Sequence, residues 1–496
     1  SADKSMYTEH QIEAADVNAD GTVTVDDAIL VLTFYAKTVA GMSPVWNSNA
    51  IFTFSDDNMK CKKNNENYTG MIANADSDVY YYQDGIASKG VYEIDGEKHY
   101  FSYETGIMQK ESADGYVIED GTVIYEPTSP LLSSDLFGAY YEHATEIMNT
   151  MTLEEKVGQL FLIGIAQTNG EEIVRDYHPG GIVMFAYNFS DQTVASEKEQ
   201  IASYQANSRF PLLISADEEG GTVARVADNL GTTKLYDMEY YGERHNPEEA
   251  YAIGNTIGSD LIQFGFNVDF APVADVNLNP NNELGSRIFS SDPDIVGDMV
   301  SGVVSGLQNM GVSATLKHFP GLGAGDGNTH YDDFVLIDRS YSELKEEEFK
   351  AFQAGIDAGA DFVMVGHQII TAAGDQLPSD MSYTVVTDWL KGTLGFNGIV
   401  ITDAQNMAAI TENYSPATAA VQSVSAGVDV ILMPMDLSNA VSGICDAVEA
   451  GTISEERINE SVYKIMMKKL EMGLLTMPEE DPDSTTTSTT TTDIAF

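Results

Sequence analysis

The 496-residue chain is expected to be an α/β protein built on a (β/α)8 TIM-type barrel, preceded by a small α module and a β-hairpin repeat segment. Three observations lead there. Eight short apolar, β-branched runs recur at the spacing of βα units, helix-length amphipathic stretches separate them, and polar residues fall at the carboxyl ends of several runs.

The runs are FLIGIA from Phe161, GIVMFA from Gly181, PLLISADEE from Pro211, FNVDFAPVADV from Phe266, SATLKHF from Ser313, FVMVGH from Phe362, GIVITD from Gly398 and VDVILMP from Val428. Ahead of them, Thr152 and Glu155 form a capping box that opens a helix in MTLEEKVGQLF. Between the fifth and sixth runs EEEFKAFQAGIDAGA (346–360) reads as a crossover helix, and ISEERINESVYKIMMKKLEMG (453–473) is expected to close the barrel.

Composition narrows the possibilities. Seventy-seven acidic against 25 basic residues give a formal charge of −52, which argues against nucleic acid or an anionic membrane as partner. No apolar run reaches membrane-spanning length, and the start SADKSMYTEH has no signal pattern, so a secretion signal is either absent or already removed; the amino-terminal segments described next favour removal and an extracellular protein, secreted or attached to a cell surface. Two distant cysteines, Cys61 and Cys445, define no disulfide framework and no metal cluster.

Near the amino terminus, DVNADGTVTVDD (16–27) has calcium-loop spacing. Oxygens come from Asp16, Asn18 and Asp20, a turn glycine follows at Gly21, and the Thr22 carbonyl, Thr24 and Asp27 complete the set that a hard cation needs. With the apolar helix AILVLTFYA behind it, residues 1–42 resemble one repeat of a dockerin, which implies a cohesin scaffold as partner. Residues 43–130 turn aromatic and turn-rich. Asp95-Gly96 and Asp120-Gly121 read as hairpin turns, and the pattern resembles cell-wall-binding repeats, or else a spacer whose tyrosines pack between hairpins. The barrel is placed at 131–476, and a Thr-rich linker at 477–496.

The densest chemistry lies in KHFPGLGAGDGNTH (317–330), where an apolar strand runs into a glycine-rich charged loop. This stretch resembles the signature of glycoside hydrolase family 3, in its β-N-acetylglucosaminidase branch, over roughly residues 140–475. The resemblance implies a retaining, metal-free hydrolysis of terminal β-linked N-acetylglucosamine from chito-oligosaccharides or cell-wall fragments, with calcium confined to the amino-terminal loop. It places the nucleophile at Asp403 and the general acid/base at His330, the only donor expected when a linker follows the barrel. The aspartate that usually stands two residues before this histidine is Asn328 here, and Asp326 on the same loop is the alternative partner.

Asp217, Arg287, Lys317 and His318 match positions that hold the sugar in similar enzymes, and Arg225 and His367 are placed in the substrate site with them. Lys317 or Arg225 is expected to favour the ionised form of Asp403. The rival readings are a β-glucosidase or other β-glycosidase of the same family, and a carbohydrate-binding protein whose barrel has lost turnover, the latter motivated by Asn328.

Overall fold

The computed structural model describes residues 143–475 except 166–168, 191 and 330–333, together with residue 140 and scattered residues between 52 and 125. The calcium loop with Asp16, Asn18, Asp20, Thr22, Thr24 and Asp27, the stretch 477–496, and His330 lie outside the described residues. The chain divides into two compact units, Ser1–Ala139 and Tyr140–Phe496.

In the first unit the strands pair as antiparallel hairpins. Gly90–Ile94 pairs with Glu97–Phe101, and Val117–Glu119 with Thr122–Tyr125, while the turn pairs Asp95-Gly96 and Asp120-Gly121 lie outside the described residues. Tyr80 and Tyr82, two apart on Val79–Gln83, are buried beside each other with ring centroids 5.9 Å apart. These two rings are packing residues of this unit.

The second unit contains an eight-stranded parallel sheet: β1 (Phe161–Gly164), β2 (Gly181–Val183), β3 (Leu213–Ala216), β4 (Val268–Asp269), β5 (Ser313–Phe319), β6 (Phe362–Val365), β7 (Ile399–Thr402) and β8 (Ile431–Leu432). From β1 to β7 each strand pairs with the next, and β1 pairs with β8. The remaining gap is closed by a parallel bridge between Ile401 and Val430, so all eight expected runs form one ring. Strands buried on both faces must be apolar throughout, and β5 is buried along all seven residues.

Helices follow the strands: α1 (Leu153–Gln159) before β1, then α2 (Gly170–Tyr177), α3 (Val194–Asn207), α4 (Pro247–Ile262), α5 (Pro293–Asn309), α6 (Glu348–Asp357), α7 (Pro416–Ala426), α8 (Leu437–Glu449) and α9 (Glu455–Glu471). The Thr152–Glu155 capping box opens α1 as expected. Between β6 and β7 the crossover is a π-helical segment, Thr384–Thr393, which sequence periodicity did not distinguish from an α-helix. The last helix closes the amino-terminal end of the barrel through buried charges. Lys468 reaches Asp361 ahead of β6 at 2.5 Å, Lys464 reaches Asp429 ahead of β8 at 3.3 Å, and Lys469 donates to Gln159 of α1 at 2.7 Å.

Helices α4 and α5 cross at glycines. A Cβ on Gly254 would overlap the Val303 carbonyl oxygen, and one on Gly306 would overlap the carbonyl oxygen of Tyr251. Helix propensity alone favours alanine over glycine by about 1 kcal/mol. The close approach reverses that sign: Gly306→Ala should lower stability by about 1–3 kcal/mol, the range for overpacking a fitted interface, as a reduced unfolding midpoint. A raised midpoint would show that the two helices part easily.

Candidate active site

The carboxyl ends of the strands hold a buried cluster of charges. Lys317, on β5, is 2% exposed and inserts its Nζ between two carboxylates, 2.8 Å from Asp217 Oδ1 and in contact with Glu219 Oε1. Arg287 grips the same Glu219 with two parallel bonds, Nε to Oε2 and Nη2 to Oε1, each 2.8 Å. Burial works against the charge on each of these groups. Lys317 and Arg287 nevertheless bring the Glu219 carboxyl down to about 2, while Asp217 and Glu219 hold the Lys317 ammonium above its ordinary value.

His318 is fixed from behind by Asp275. Its Nδ1 lies 2.8 Å from Asp275 Oδ2, and its backbone N–H donates to the same oxygen at 3.0 Å. A carboxylate can only accept here, so Nδ1 carries the proton and Nε2 is left without a hydrogen bond to a described residue. The Lys317-His318 peptide bond is cis, as is Phe319-Pro320.

Asp403 follows β7 directly and is half-buried, with its N–H donated to Val365 O at 2.8 Å and its Oδ1 accepting from Ala404 N at 2.7 Å. Burial alone would raise its carboxyl. His318, His367 and the Ala404 amide, with a lesser part from Lys317, bring it below the ordinary aspartate value. Lys317 or Arg225 was expected to supply this charge; Lys317 does contribute, and the two histidines contribute more. Arg225 instead opens the short helix Arg225–Leu230, its N–H bound to Asp217 O at 3.2 Å and its Nε buried without a partner among the described residues.

His367 also differs from the sugar ligand expected of it. Its side chain is fully buried, with Nδ1 3.1 Å from Asp380 Oδ1 and Nε2 3.0 Å from the carbonyl oxygen of Ala404. Both neighbours are acceptors, so both ring nitrogens donate and the imidazole is a cation. It has no polar atom left for a sugar. Asp380 is in turn bound by Gln405 at 3.2 Å and Ser423 at 3.3 Å.

The loop after β5 is stitched to the loop after β4. Leu278 and Asn279 donate to Gly323 O at 3.1 and 3.0 Å, and Thr329 donates through N and Oγ1 to Glu283 Oε1 at 3.0 and 2.9 Å. Asn328 is half-buried on this loop and Asp326 exposed. Three acids of the site were missed from sequence. Glu219 was legible, because a two-residue step from Asp217 returns to the same side of an extended chain; Asp275 lies at the end of the fourth run and Asp380 in the short 3-10 helix Ser379–Met381, and neither was singled out. Among the described residues no group of three or more His, Cys, Asp or Glu is arranged to hold a metal ion.

Burial lowers the pKa of His367, but Asp380, and then Asp403, outweigh it and push the value up to about 9 from the ordinary 6.5. The folded state thus binds the extra proton, so this contribution to stability is complete below about pH 6.5 and is lost as pH rises through about 9. The thermal midpoint should fall between pH 7 and 10, and His367→Gln should lower the midpoint at pH 6 and flatten the slope. An unchanged slope in the variant would assign the alkaline loss to other groups.

The family model described as "Glycosyl hydrolase family 3 N terminal domain" matches residues 152–467. The chain is 28% identical to β-hexosaminidase A of Pseudoalteromonas piscicida over 380 residues, 66% of this chain and 63% of the relative. It is 34% identical to a β-hexosaminidase of Nitrosomonas eutropha over 272 residues, 53% of this chain and 76% of that one. Among solved structures it is similar to a glycoside hydrolase family 3 β-N-acetylglucosaminidase from Paenibacillus sp. str. FPU-7, with a TM-score of 0.63, 34% identity, and coverage of 67% of this chain and 66% of the other. The chain thus spans less than two thirds of the Pseudoalteromonas relative. No described helix is long and apolar enough to cross a membrane. With the family model matching more than half of its length, the chain belongs to glycosyl hydrolase family 3.

Proposed function

We propose that the protein is a retaining β-N-acetylhexosaminidase that releases terminal β-linked N-acetylglucosamine from chito-oligosaccharides or cell-wall fragments. The observation that carries this reading is Asp403, a strand-end carboxylate kept anionic by His318 and the buried cationic His367. The relatives named β-hexosaminidase and β-N-acetylglucosaminidase supply the sugar.

Polar atoms of the charged cluster that make no hydrogen bond to a described residue include Asp217 Oδ2, Arg287 Nη1, His318 Nε2 and Asp403 Oδ2. In this reading the first three hold hydroxyl and acetamido groups, each oriented by the ion pair or hydrogen bond that fixes the rest of its side chain. Asp403 attacks the anomeric carbon as the glycosidic bond breaks, and the departing oxygen takes a proton from His330. Water then gives its proton to His330 and cleaves the ester, releasing the Asp403 carboxylate. The cationic His367 assists both steps, because a carboxylate of lowered basicity is present as the anion before attack and is a better leaving group afterwards.

The amino-terminal loop Asp16 to Asp27 is assigned to calcium and residues 1–42 to scaffold attachment, on sequence spacing. An extracellular or surface-attached setting follows from the same features and from the acidic composition.

Asp403→Ala should lower kcat by about 10⁴-fold or more while leaving the thermal midpoint nearly unchanged. Azide should restore turnover and yield the α-glycosyl azide, since it enters from the side that the carboxylate vacated. Ordinary activity in the variant would place the nucleophile elsewhere. Asn328→Asp should raise kcat on chitobiose more than on a nitrophenyl β-N-acetylglucosaminide, because a carboxylate beside His330 matters most when the leaving oxygen needs a full proton. If Asp326→Asn removes that selectivity and Asn328→Asp is neutral, Asp326 is the partner of His330. Equal assays on nitrophenyl β-glucoside separate the β-glucosidase reading.

A further inference from the structure

Exposed tyrosines taken singly need no explanation. Tyr236, Tyr240 and Tyr241 are different because they form one unit attached to the charged cluster. Tyr236 and Tyr240 have ring centroids 4.6 Å apart, Tyr241 stands edge-on to Tyr240 at 5.2 Å, and the Tyr241 hydroxyl accepts from the Tyr236 N–H at 3.3 Å. Arg244 lies over the Tyr240 ring, donates to its hydroxyl at 2.9 Å and is itself held by Glu249 at 3.0 Å. Tyr241 is buried, yet Tyr236 is 66% and Tyr240 40% exposed. The two outer rings are thus held in place and left open to solvent.

Asp237, between them, ties this unit to the site. Its Oδ1 accepts from Thr222 N at 2.9 Å, three residues beyond Glu219, and its Oδ2 accepts from Ser286 Oγ at 3.0 Å, next to Arg287. The segment also packs directly on the turn after Glu219. Gly220 and Gly221 both have positive φ, and a Cβ on Gly221 would run into Asp237 while one on Gly220 would run into Met238 and Leu235. No side chain can intervene between the aromatic unit and the loop that carries Glu219.

We propose that Tyr236 and Tyr240 form a subsite for the leaving-group side of the substrate, stacking on the apolar face of a pyranose ring in a β-linked oligosaccharide. The proposal rests on the hydrolase reading above and deepens it. A pyranose suits the position because its C–H face packs on an aromatic ring while its rim of hydroxyls meets polar groups such as those of Arg244 and Tyr240. The Tyr240 ring, already pinned through its hydroxyl by Arg244, loses little freedom on binding.

The test compares methyl β-N-acetylglucosaminide, which has no ring on the leaving side, with chitotriose. For Tyr236→Ala combined with Tyr240→Ala, kcat/KM on chitotriose should fall about tenfold, chiefly through KM, a loss of the size expected for stacking. Activity on the methyl glycoside should stay within about twofold, which also shows that the variant is folded, and Tyr236→Phe should behave as the parent on both. An equal loss on both substrates, or none on chitotriose, overturns the subsite. Chitotriose affinity is measured in parallel by calorimetry on Asp403→Ala with and without the tyrosine changes. If the parent hydrolyses neither sugar but affinity still depends on the tyrosines, the hydrolase reading fails and the subsite stands; affinity indifferent to them removes the subsite.

Discussion

The ammonium of Lys317 is the constraint on which the site depends. Removing such a charge from water costs several kcal/mol unless other charges surround it closely. Two carboxylates on the loop after β3 and a guanidinium from the loop after β4 do so here. Because Lys317 sits on β5, this cluster fixes the ends of neighbouring strands against one another. It therefore also fixes where the glycine-rich loop leaves the barrel. The cluster is balanced, two cations against two anions, which is how so much charge is tolerated in a place with little water.

A second charge pair stands behind the first. His367 and Asp380 are both wholly buried, and neither has an atom to spare for substrate. Their effect reaches the pocket only as a field on Asp403. His318 acts on Asp403 from the surface of the cluster, whereas His367 acts on it from wholly buried ground. At the opposite end of the barrel, Asp361 and Asp429 serve α9 in a third polar cluster that touches no part of the site.

Much of this was legible in the sequence, for a reason specific to parallel barrels. A strand covered on both faces has to be apolar throughout, so VITD or TLKH announces both a strand and the point where it meets solvent. The eight runs and the positions of Asp217, Lys317, His318 and Asp403 at their ends followed from that alone. Roles were harder. His367 looked like a ligand because it ends a strand, but its two hydrogen-bond partners come from residues 13 and 37 positions away, which no local pattern reveals. Lys317 or Arg225 was expected to favour the charge on Asp403; Lys317 does contribute, but the larger part comes from two histidines that no local pattern connects to it. The π-helical crossover was hidden because apolar spacing over ten residues barely separates 3.6 from a wider turn.

The ring has a seam, and the seam runs past Asp403. Between β7 and β8 the backbone bonds are Asp429 and Val430 N to Val400 O, Thr402 N to Val430 O and Gln405 N to Leu432 O; at Leu432 the ladder is completed by the hydroxyl of Thr402. One side chain, adjacent in sequence to Asp403, thus substitutes for a missing rung. Asp403 is therefore tied toward β8 by the hydroxyl of its neighbour as well as by the backbone. Closing the cylinder and placing the Asp403 carboxylate thus draw on the same few bonds.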